Sequence, residues 1–294
     1  MTIAVVLGAG GAFGWVFHTG VLRALREQLG IDADSIDLLI GTSAGAAVAA
    51  STRAGVSPEA IYDSVTTPPS EEDRGAMREE LRNRKRTFRP LRPKLVRHLF
   101  PGGNGFGVAL AGMLPPGFFP TTFLERFPGM DALTTWPNGL WIPAVRADDG
   151  ELVVFGRDRS DIAVSEAVQA SSAVPGMFRP YLFEGVPYVD GGLASPTHAD
   201  LVAAIKPDLV VISAPMAKPV LRPMAGLARR RLSTELSTLR AGGVSPVVIR
   251  PTRHLTEAAA GFPRRNPGAG TTIEAAAADL AADAVAAAGF AATP

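Results

Sequence analysis

A serine between two glycines is the first feature of this sequence that could do chemistry. The segment GTSAG, residues 41–45, places Ser43 directly after the apolar run 36–40 and before an alanine-rich stretch. A serine on a tight turn between a strand and a helix projects its hydroxyl over the sheet edge, and the free N–H groups of the helix favour negative charge beside it. The pattern therefore predicts a nucleophile, although an ordinary turn with a capping serine uses the same small residues.

A glycine-rich segment, GAGGAFG at residues 8–14, follows the apolar run 3–7 and leads into a helical pattern. Its backbone N–H groups could bind a dinucleotide pyrophosphate, a nucleotide phosphate or the oxyanion of a reaction intermediate. A dinucleotide fold needs glycine where this sequence has Phe13, and an acidic residue after its second strand. A phosphate-binding loop needs Lys and then Ser or Thr, where this sequence has Trp15 and Val16. The pattern favours the oxyanion.

An aspartate at the end of a short apolar run could supply the base that a serine needs. Asp190, in YVDGG, is followed by two glycines. Alone it would be a common turn residue, but beside the other two segments we interpret it as the base. His198 could instead complete a Ser-His-Asp triad, although we expect it to lie in the first turn of the helix after Pro196. The remaining histidines are weaker candidates: His18, His98 and His254.

These three segments, in this order, resemble the signatures of the patatin-like phospholipase family. That family carries a glycine-rich loop after the first strand, a G-x-S-x-G elbow and an Asp-Gly-Gly or Asp-Gly-Ala. This sequence has GAGGAFGWVFHTGVLRAL, GTSAGA and VDGG. The stretch AVQASSAVPGMFRPYLFEGVPYVDGG is also similar to the family's block ahead of the aspartate. The similarity covers residues 2–54 and 163–211, and the combination is far more specific than any single motif.

The resemblance implies a role for each segment. Ser43 would be the nucleophile and Asp190 its base in a Ser-Asp dyad, and the amides of Gly10, Gly11 and Ala12 would form the oxyanion hole. An acyl-enzyme would form on the serine, and water activated by the same carboxylate would release the fatty acid. The implied substrates are acyl esters of lipids, as for a phospholipase A, and the reaction would need no cofactor and no metal.

Two positions depart from the family pattern. Phe13 stands where the loop usually carries Arg or Lys, and Ala9 where glycine is usual. Backbone donors survive both changes, but the loss of a positive charge could cost on the order of 10²-fold in rate. We expect Phe13 and Trp15 to line a more apolar acyl site.

Alternating strand and helix patterns predict an α/β fold, a three-layer α/β/α sandwich with a mostly parallel central sheet. Several predicted strands are apolar without alternation, as in strands that are covered on both faces. The predicted strands are 3–7, 36–40, 140–145, 152–155, 188–189, 209–213 and 247–249. The predicted helices are 15–29, 44–54, 58–64, 164–171, 199–205 and 273–288. We expect one patatin-like catalytic domain over residues 1–294.

One block, residues 66–120, interrupts this alternation and is predicted to be an insertion or cap over the sheet edge. Residues 78–97 are dense in Arg and Lys, and an apolar stretch rich in Gly, Pro and Phe follows. One interpretation is a solvated basic face with a hydrophobic plug. The other is a lid or peripheral membrane contact through residues 78–120, with basic side chains at anionic headgroups. Its acyl-chain contacts would be Phe106, Leu110, Met113, Phe118 and Phe119.

Composition limits the classes of partner. The 294 residues are 47% hydrophobic with a formal net charge of +1, so a sizeable core is expected and nucleic acid is not an expected partner. Cysteine is absent, which excludes disulfides and a thiolate nucleophile. No apolar stretch is long enough to span a bilayer, and a cytoplasmic protein is expected.

Three functions therefore stand in order. The first is a serine hydrolase that cleaves acyl esters of lipids. The second is a catalytically weakened patatin-like protein that binds lipid or regulates, a possibility raised by Phe13. The third is a dinucleotide-binding oxidoreductase, which the misplaced glycine disfavours.

Overall fold

A mostly parallel sheet of eight strands runs through the part of the chain that the structure, a computed structural model, describes: residues 1–68, 71, 75, 114, 117–221 and 223–290. The strands are β1 (Ile3–Leu7), β2 (Leu38–Gly41), β3 (Leu140–Arg146), β4 (Leu152–Phe155), β5 (Tyr181–Phe183), β6 (Val186–Asp190), β7 (Leu209–Ser213) and β8 (Val247–Ile249). Their order is β5-β6-β3-β2-β1-β7-β8, and β4 pairs with β3 outside this path.

The register of the central strands brings three strand ends to one edge. β1 is parallel to β2 on one side and to β7 on the other, and Leu7 pairs with Gly41 and with Ser213. β3 continues the parallel part beside β2, whereas β4 and β6 run antiparallel to β3. The segments that follow Leu7 and Gly41 must therefore start side by side.

Two hydrophobic cores cover the two faces of the sheet. Along β1, Ile3, Val5 and Leu7 belong to one core, whereas Ala4 and Val6 belong to the other. Successive side chains of a strand point to opposite faces, so the apolar run IAVVL is buried throughout because helices lie on both sides. This arrangement confirms the predicted three-layer α/β sandwich.

The helices divide between these faces. They are α1 (Gly11–Leu29), α2 (Ala44–Arg53), α3 (Pro58–Thr66), α4 (Val164–Ser171), α5 (Pro223–Ala241), α6 (Arg253–Ala258) and α7 (Ala269–Ala287). α1 to α4, α6 and α7 pack in the first core, whereas α5 packs in the second with the 3-10 helix Ala199–Ala204. Local signals set several ends: Ser57 accepts from the Ala60 N–H at the start of α3, and Gly30 ends α1 in the left-handed conformation.

Several sequence predictions need correction. α1 begins at Gly11 rather than Trp15, because the Gly14 N–H already bonds to the Gly10 carbonyl at 3.0 Å. Residues 199–204 form a 3-10 helix rather than an α-helix. Strand β5 and helices α5 and α6 were missed, since β5 has three residues and lies at the sheet edge, and α5 carries a weak apolar pattern.

Most of the predicted insertion lies outside the described residues, including the basic segment 78–97 and the apolar positions Phe106, Leu110 and Met113. Two of its residues, Phe118 and Phe119, are described, and both backbone N–H groups donate to the Met177 carbonyl. Within the described residues, no helix combines the length and apolar character that crossing a membrane requires.

Candidate active site

Ser43 lies on a strained turn between β2 and α2. Its backbone angles, φ 54° and ψ −117°, are in a region that residues other than glycine rarely adopt. The flanking glycines make the turn possible: a Cβ on Gly41 would lie 2.5 Å from the Gly45 carbonyl oxygen, and a Cβ on Gly45 would overlap with the carbonyl of Leu7. The G-x-S-x-G spacing is therefore a requirement of close backbone packing, in which α2 starts directly against the end of β1.

We expect Gly45→Ala to destabilise the protein by about 3 kcal/mol or more, because its Cβ has no space beside the Leu7 carbonyl. The matched control is Gly226→Ala in α5, where a Cβ meets nothing within 4 Å. Alanine there should be neutral or stabilising by about 0.5–1 kcal/mol. Urea unfolding of both variants gives the comparison, and equal stabilities would contradict the packing argument.

The Ser43 hydroxyl donates a hydrogen bond to the carboxylate of Asp190, which ends β6. The carboxylate also accepts from the Gly192 N–H at 2.6 Å, and the Asp190 N–H donates to the Ala173 carbonyl at 3.1 Å. Both side chains are buried, with 8% of Ser43 and 4% of Asp190 exposed. Burial raises the pKa of Asp190 to about 6, although the two hydrogen bonds act in the opposite direction. Such a carboxylate is ionised at neutral pH and is a stronger base than an ordinary aspartate.

The glycine-rich segment lies beside this pair. A Cβ on Gly192 would sit 3.2 Å from the Cβ of Ala9, and a Cβ on Gly14 would sit 3.3 Å from that of Ala44. The Thr42 N–H donates to the Leu7 carbonyl at 2.9 Å. All three predicted segments therefore meet at the carboxyl ends of β1 and β2.

Three backbone donors at the start of α1 point away from the protein's own acceptors. Gly10 precedes the helix, and Gly11 and Ala12 form its first turn; all three are partly or fully exposed. Among the described residues, their N–H groups donate to no protein acceptor. Free N–H groups at a helix N-terminus attract negative charge. The arrangement can hold an oxyanion next to the serine.

Ser171 was missed by the sequence analysis. Its hydroxyl accepts the backbone N–H of Ser43 at 3.0 Å and donates to the Pro143 carbonyl at 2.7 Å. The Ser43 N–H is therefore occupied, so an oxyanion would have to be bound by the glycine-rich segment. No sequence signal separated Ser171 from its neighbour Ser172.

His198 does not contact the serine or the aspartate. Its Nδ1 lies 3.1 Å from the Thr42 hydroxyl, and its buried Nε2 has no hydrogen-bond partner in the described part of the chain. Burial lowers the pKa of His198 to about 3. The residue precedes the 3-10 helix in the left-handed conformation, one position before the expected helical turn. The geometry corresponds to a Ser-Asp pair rather than a triad.

Phe13 is part of the core and is not a wall of the site. Its ring is 7% exposed and stacks on Phe17 at 5.7 Å, whereas the Lys218 ammonium lies 3.6 Å from the centre of the ring. The expected acyl-site role for Phe13 is thus not supported by its position. Lys218 was missed because it lies about 200 residues away in sequence, and it brings a positive charge close to the segment where Phe13 provides none.

Trp15 faces a different aromatic group. Its ring contacts those of Phe123 and Phe127 at 6.5 and 5.6 Å, and Phe123 contacts Phe178 at 5.8 Å. Phe123 is 47% exposed, so this group forms an open apolar surface. Within the described residues, no cluster of three His, Asp or Glu side chains could hold a metal ion.

Comparison with solved structures finds similar chains of low sequence identity. VipD from Legionella pneumophila is 13% identical, with 96% of this chain and 66% of that chain covered and a TM-score of 0.44. ExoU, a type III effector, is 18% identical over 97% of this chain and 53% of that chain, with a TM-score of 0.43. In the complex of SpcU with ExoU from Pseudomonas aeruginosa, the values are 18%, 98% and 52%, with a TM-score of 0.45.

This chain thus spans between about half and two thirds of the length of these proteins. No curated protein sequence matches it closely enough to be counted as a relative. The family comparison is decisive, since a sequence model described as patatin-like phospholipase matches residues 5–203, which contain all three segments of the site. The chain belongs to the patatin-like phospholipase family.

Proposed function

We propose that this protein is a serine hydrolase that cleaves acyl esters of lipids, in the manner of a phospholipase A. The observation that carries the proposal is the hydrogen bond from the Ser43 hydroxyl to the buried Asp190 carboxylate, next to free backbone donors. Patatin-like family membership supports the lipid substrate class. It also removes the support for a dinucleotide-binding oxidoreductase.

In the acylation step, Asp190 accepts the hydroxyl proton as the Ser43 oxygen attacks the ester carbonyl carbon. The N–H groups of Gly10, Gly11 and Ala12 would bind the oxyanion that forms. When the tetrahedral intermediate collapses, the ester C–O bond breaks, and Asp190 returns the proton to the leaving alcohol. The acyl group is then on the serine.

In the deacylation step, water takes the place of the alcohol. Asp190 accepts a proton from the water as its oxygen attacks the acyl carbon, and the same N–H groups would bind the second oxyanion. Collapse breaks the bond to Ser43, whose oxygen recovers the proton. The fatty acid leaves and the dyad is restored with no added group.

We expect kcat/KM to rise with pH and to reach a plateau above about pH 7, with an apparent pKa of about 6. The base acts only when ionised, and burial raises the pKa of Asp190 to about 6. If His198 were the base, the plateau would begin above about pH 4, because its pKa is lowered to about 3. The measurement is hydrolysis of a short-chain ester from pH 4.5 to 9, with circular dichroism as the control for folding. A rate that does not change between pH 5 and 8 would contradict the assignment.

The proposal treats residues 1–294 as one catalytic domain with an insertion at 66–120. Peripheral membrane contact through residues 78–120 is part of the proposal and concerns residues that lie mostly outside the described part of the chain. Binding to anionic vesicles that persists at low salt and weakens at high salt would support the contact.

The experiment that tests the function is intact-mass analysis after incubation with a fluorophosphonate probe, together with turnover of phospholipid vesicles and short-chain esters. We expect a single adduct and release of fatty acid. A folded protein that forms no adduct and binds vesicles without turnover would instead favour the weakened lipid-binding alternative.

A further inference from the structure

We propose that His18 and Ser213 are positioning residues that hold the peptide between Gly8 and Ala9, and thereby the backbone donors that follow it. The inference rests on the proposed function, because it assigns these donors to the oxyanion. Both side chains are fully buried and neither takes part in the reaction steps. The resemblance on which the site prediction depends gave no role to either residue.

A closed ring of three hydrogen bonds surrounds the peptide. The Gly8 N–H donates to the Ser213 carbonyl at 3.0 Å, and His18 Nδ1 lies 2.8 Å from the Ser213 hydroxyl. His18 Nε2 lies 2.7 Å from the Gly8 carbonyl oxygen. One strand end, β7, is thus connected to the end of another, β1, through a side chain of α1.

The partners determine which ring nitrogen carries the proton. A carbonyl oxygen can only accept, so His18 Nε2 must be protonated and donate to Gly8. Nδ1 then accepts from the Ser213 hydroxyl. Burial keeps the ring neutral, since it lowers the pKa of His18 to about 4. The histidine is therefore a fixed donor to a carbonyl that would otherwise be buried and unsatisfied.

The other side of the same peptide is held as well. The Ala9 N–H donates to the Pro196 carbonyl at 2.7 Å. Glu235, which is 1% exposed, accepts from the hydroxyls of Ser195 and Thr197 on either side of that proline. The C=O and the N–H of one peptide thus have separate buried partners, which fixes the rotation of the peptide plane.

This orientation matters because the next residues cannot fix it themselves. Gly10 and Gly11 have no side chains, and glycine has the widest backbone freedom of any residue. The oxyanion donors begin one residue after Ala9. A preorganised donor is worth on the order of 10²–10³-fold in rate, so a donor set that is loosened but not removed should lose less.

The test compares three substitutions of His18. The amide nitrogen of a glutamine can reach the position of Nε2 and donate to Gly8, whereas that of an asparagine reaches only the position of Nδ1. We expect His18→Asn and His18→Leu to lower kcat about 10–10²-fold with KM changed less than about twofold. His18→Gln should stay within about fivefold of the wild type. Thr19→Val, which removes a buried hydrogen bond from the neighbouring position of α1, is the control for lost stability and should leave kcat unchanged.

Amide hydrogen exchange provides a readout that does not need activity. The Ala9 N–H should exchange at least about tenfold faster in His18→Leu and His18→Asn than in His18→Gln and Thr19→Val. If exchange accelerates in this pattern while the wild type forms no fluorophosphonate adduct, the positioning role stands and the proposed function fails. Equal Ala9 exchange in all four variants, or a kcat that follows the melting temperature alone, would overturn the positioning role.

Discussion

Ser43→Ala is expected to abolish fluorophosphonate labelling and to lower kcat for ester hydrolysis by about 10⁴–10⁶-fold. The nucleophilic oxygen is removed, while the backbone donors of Gly10, Gly11 and Ala12 remain. Residual turnover should therefore come only from binding and oxyanion stabilisation. The measurement is intact mass beside steady-state turnover of a short-chain ester.

The fold should survive this change, because the Ser43 side chain is small and its backbone is held by Ser171 and by the packing of Gly41 and Gly45. Ser233→Ala, on the exposed side of α5, is the matched control and should label and turn over like the wild type. Labelling that persists in folded Ser43→Ala would place the nucleophile elsewhere and refute the site assignment.

Asp190→Asn is expected to lower kcat by about 10²–10⁴-fold and, at the same time, to stabilise the fold at neutral pH. An asparagine occupies the same volume and can still accept from the Gly192 N–H. It cannot remove the Ser43 proton, so the general-base contribution is lost. Fluorophosphonate labelling should be slowed but should still occur on the serine.

The stability change follows from the sign of the pKa shift. Burial raises the pKa of Asp190 from 3.8 to about 6, so the folded protein keeps a proton that the unfolded chain has released. The free energy of unfolding of the wild type therefore falls as pH rises between about 4 and 6, by about 3 kcal/mol in all. Asparagine does not ionise, so the variant should match the wild type at pH 4 and exceed it by about 3 kcal/mol above pH 7.

Urea unfolding at pH 4.5, 6 and 8 measures this difference. Asp131→Asn, which changes an exposed carboxylate of the 3-10 helix Met130–Ala132, is the control and should shift neither stability nor kcat. A variant that is less stable than the wild type at pH 8 would mean that the Asp190 carboxylate contributes structure that outweighs its burial. Loss of activity with gain of stability at one residue is the signature expected of a buried catalytic base.

Local sequence determined the frame of this protein. The bounds of β1, β4, β7 and β8 agree with the predicted strands, because each is a short apolar run bounded by turn residues. The G-x-S-x-G spacing is also local, since Gly41 and Gly45 are required by the backbone packing of the turn itself. Family membership could be recognised for the same reason, as each signature segment forms one strand end and the turn that follows it.

The roles of Ser43, Asp190 and the three backbone donors stay predictions, which the labelling, pH and substitution experiments test. The structure adds that these groups are neighbours. The register of β1 with β2 brings the first two segments together, and β6 delivers Asp190 from about 150 residues away along the chain. No periodicity in the sequence encodes which strand pairs with which.

Tertiary structure alone decided what surrounds the site. The contacts of Ser171 with Ser43, of His18 with Ser213 and of Lys218 with Phe13 join residues more than 100 positions apart. Each of these side chains is ordinary in its own segment, and its surroundings are set by the order of the strands and by burial. The shifted pKa of Asp190 has the same origin, because desolvation depends on the whole core that encloses the carboxylate rather than on the residues next to it in sequence.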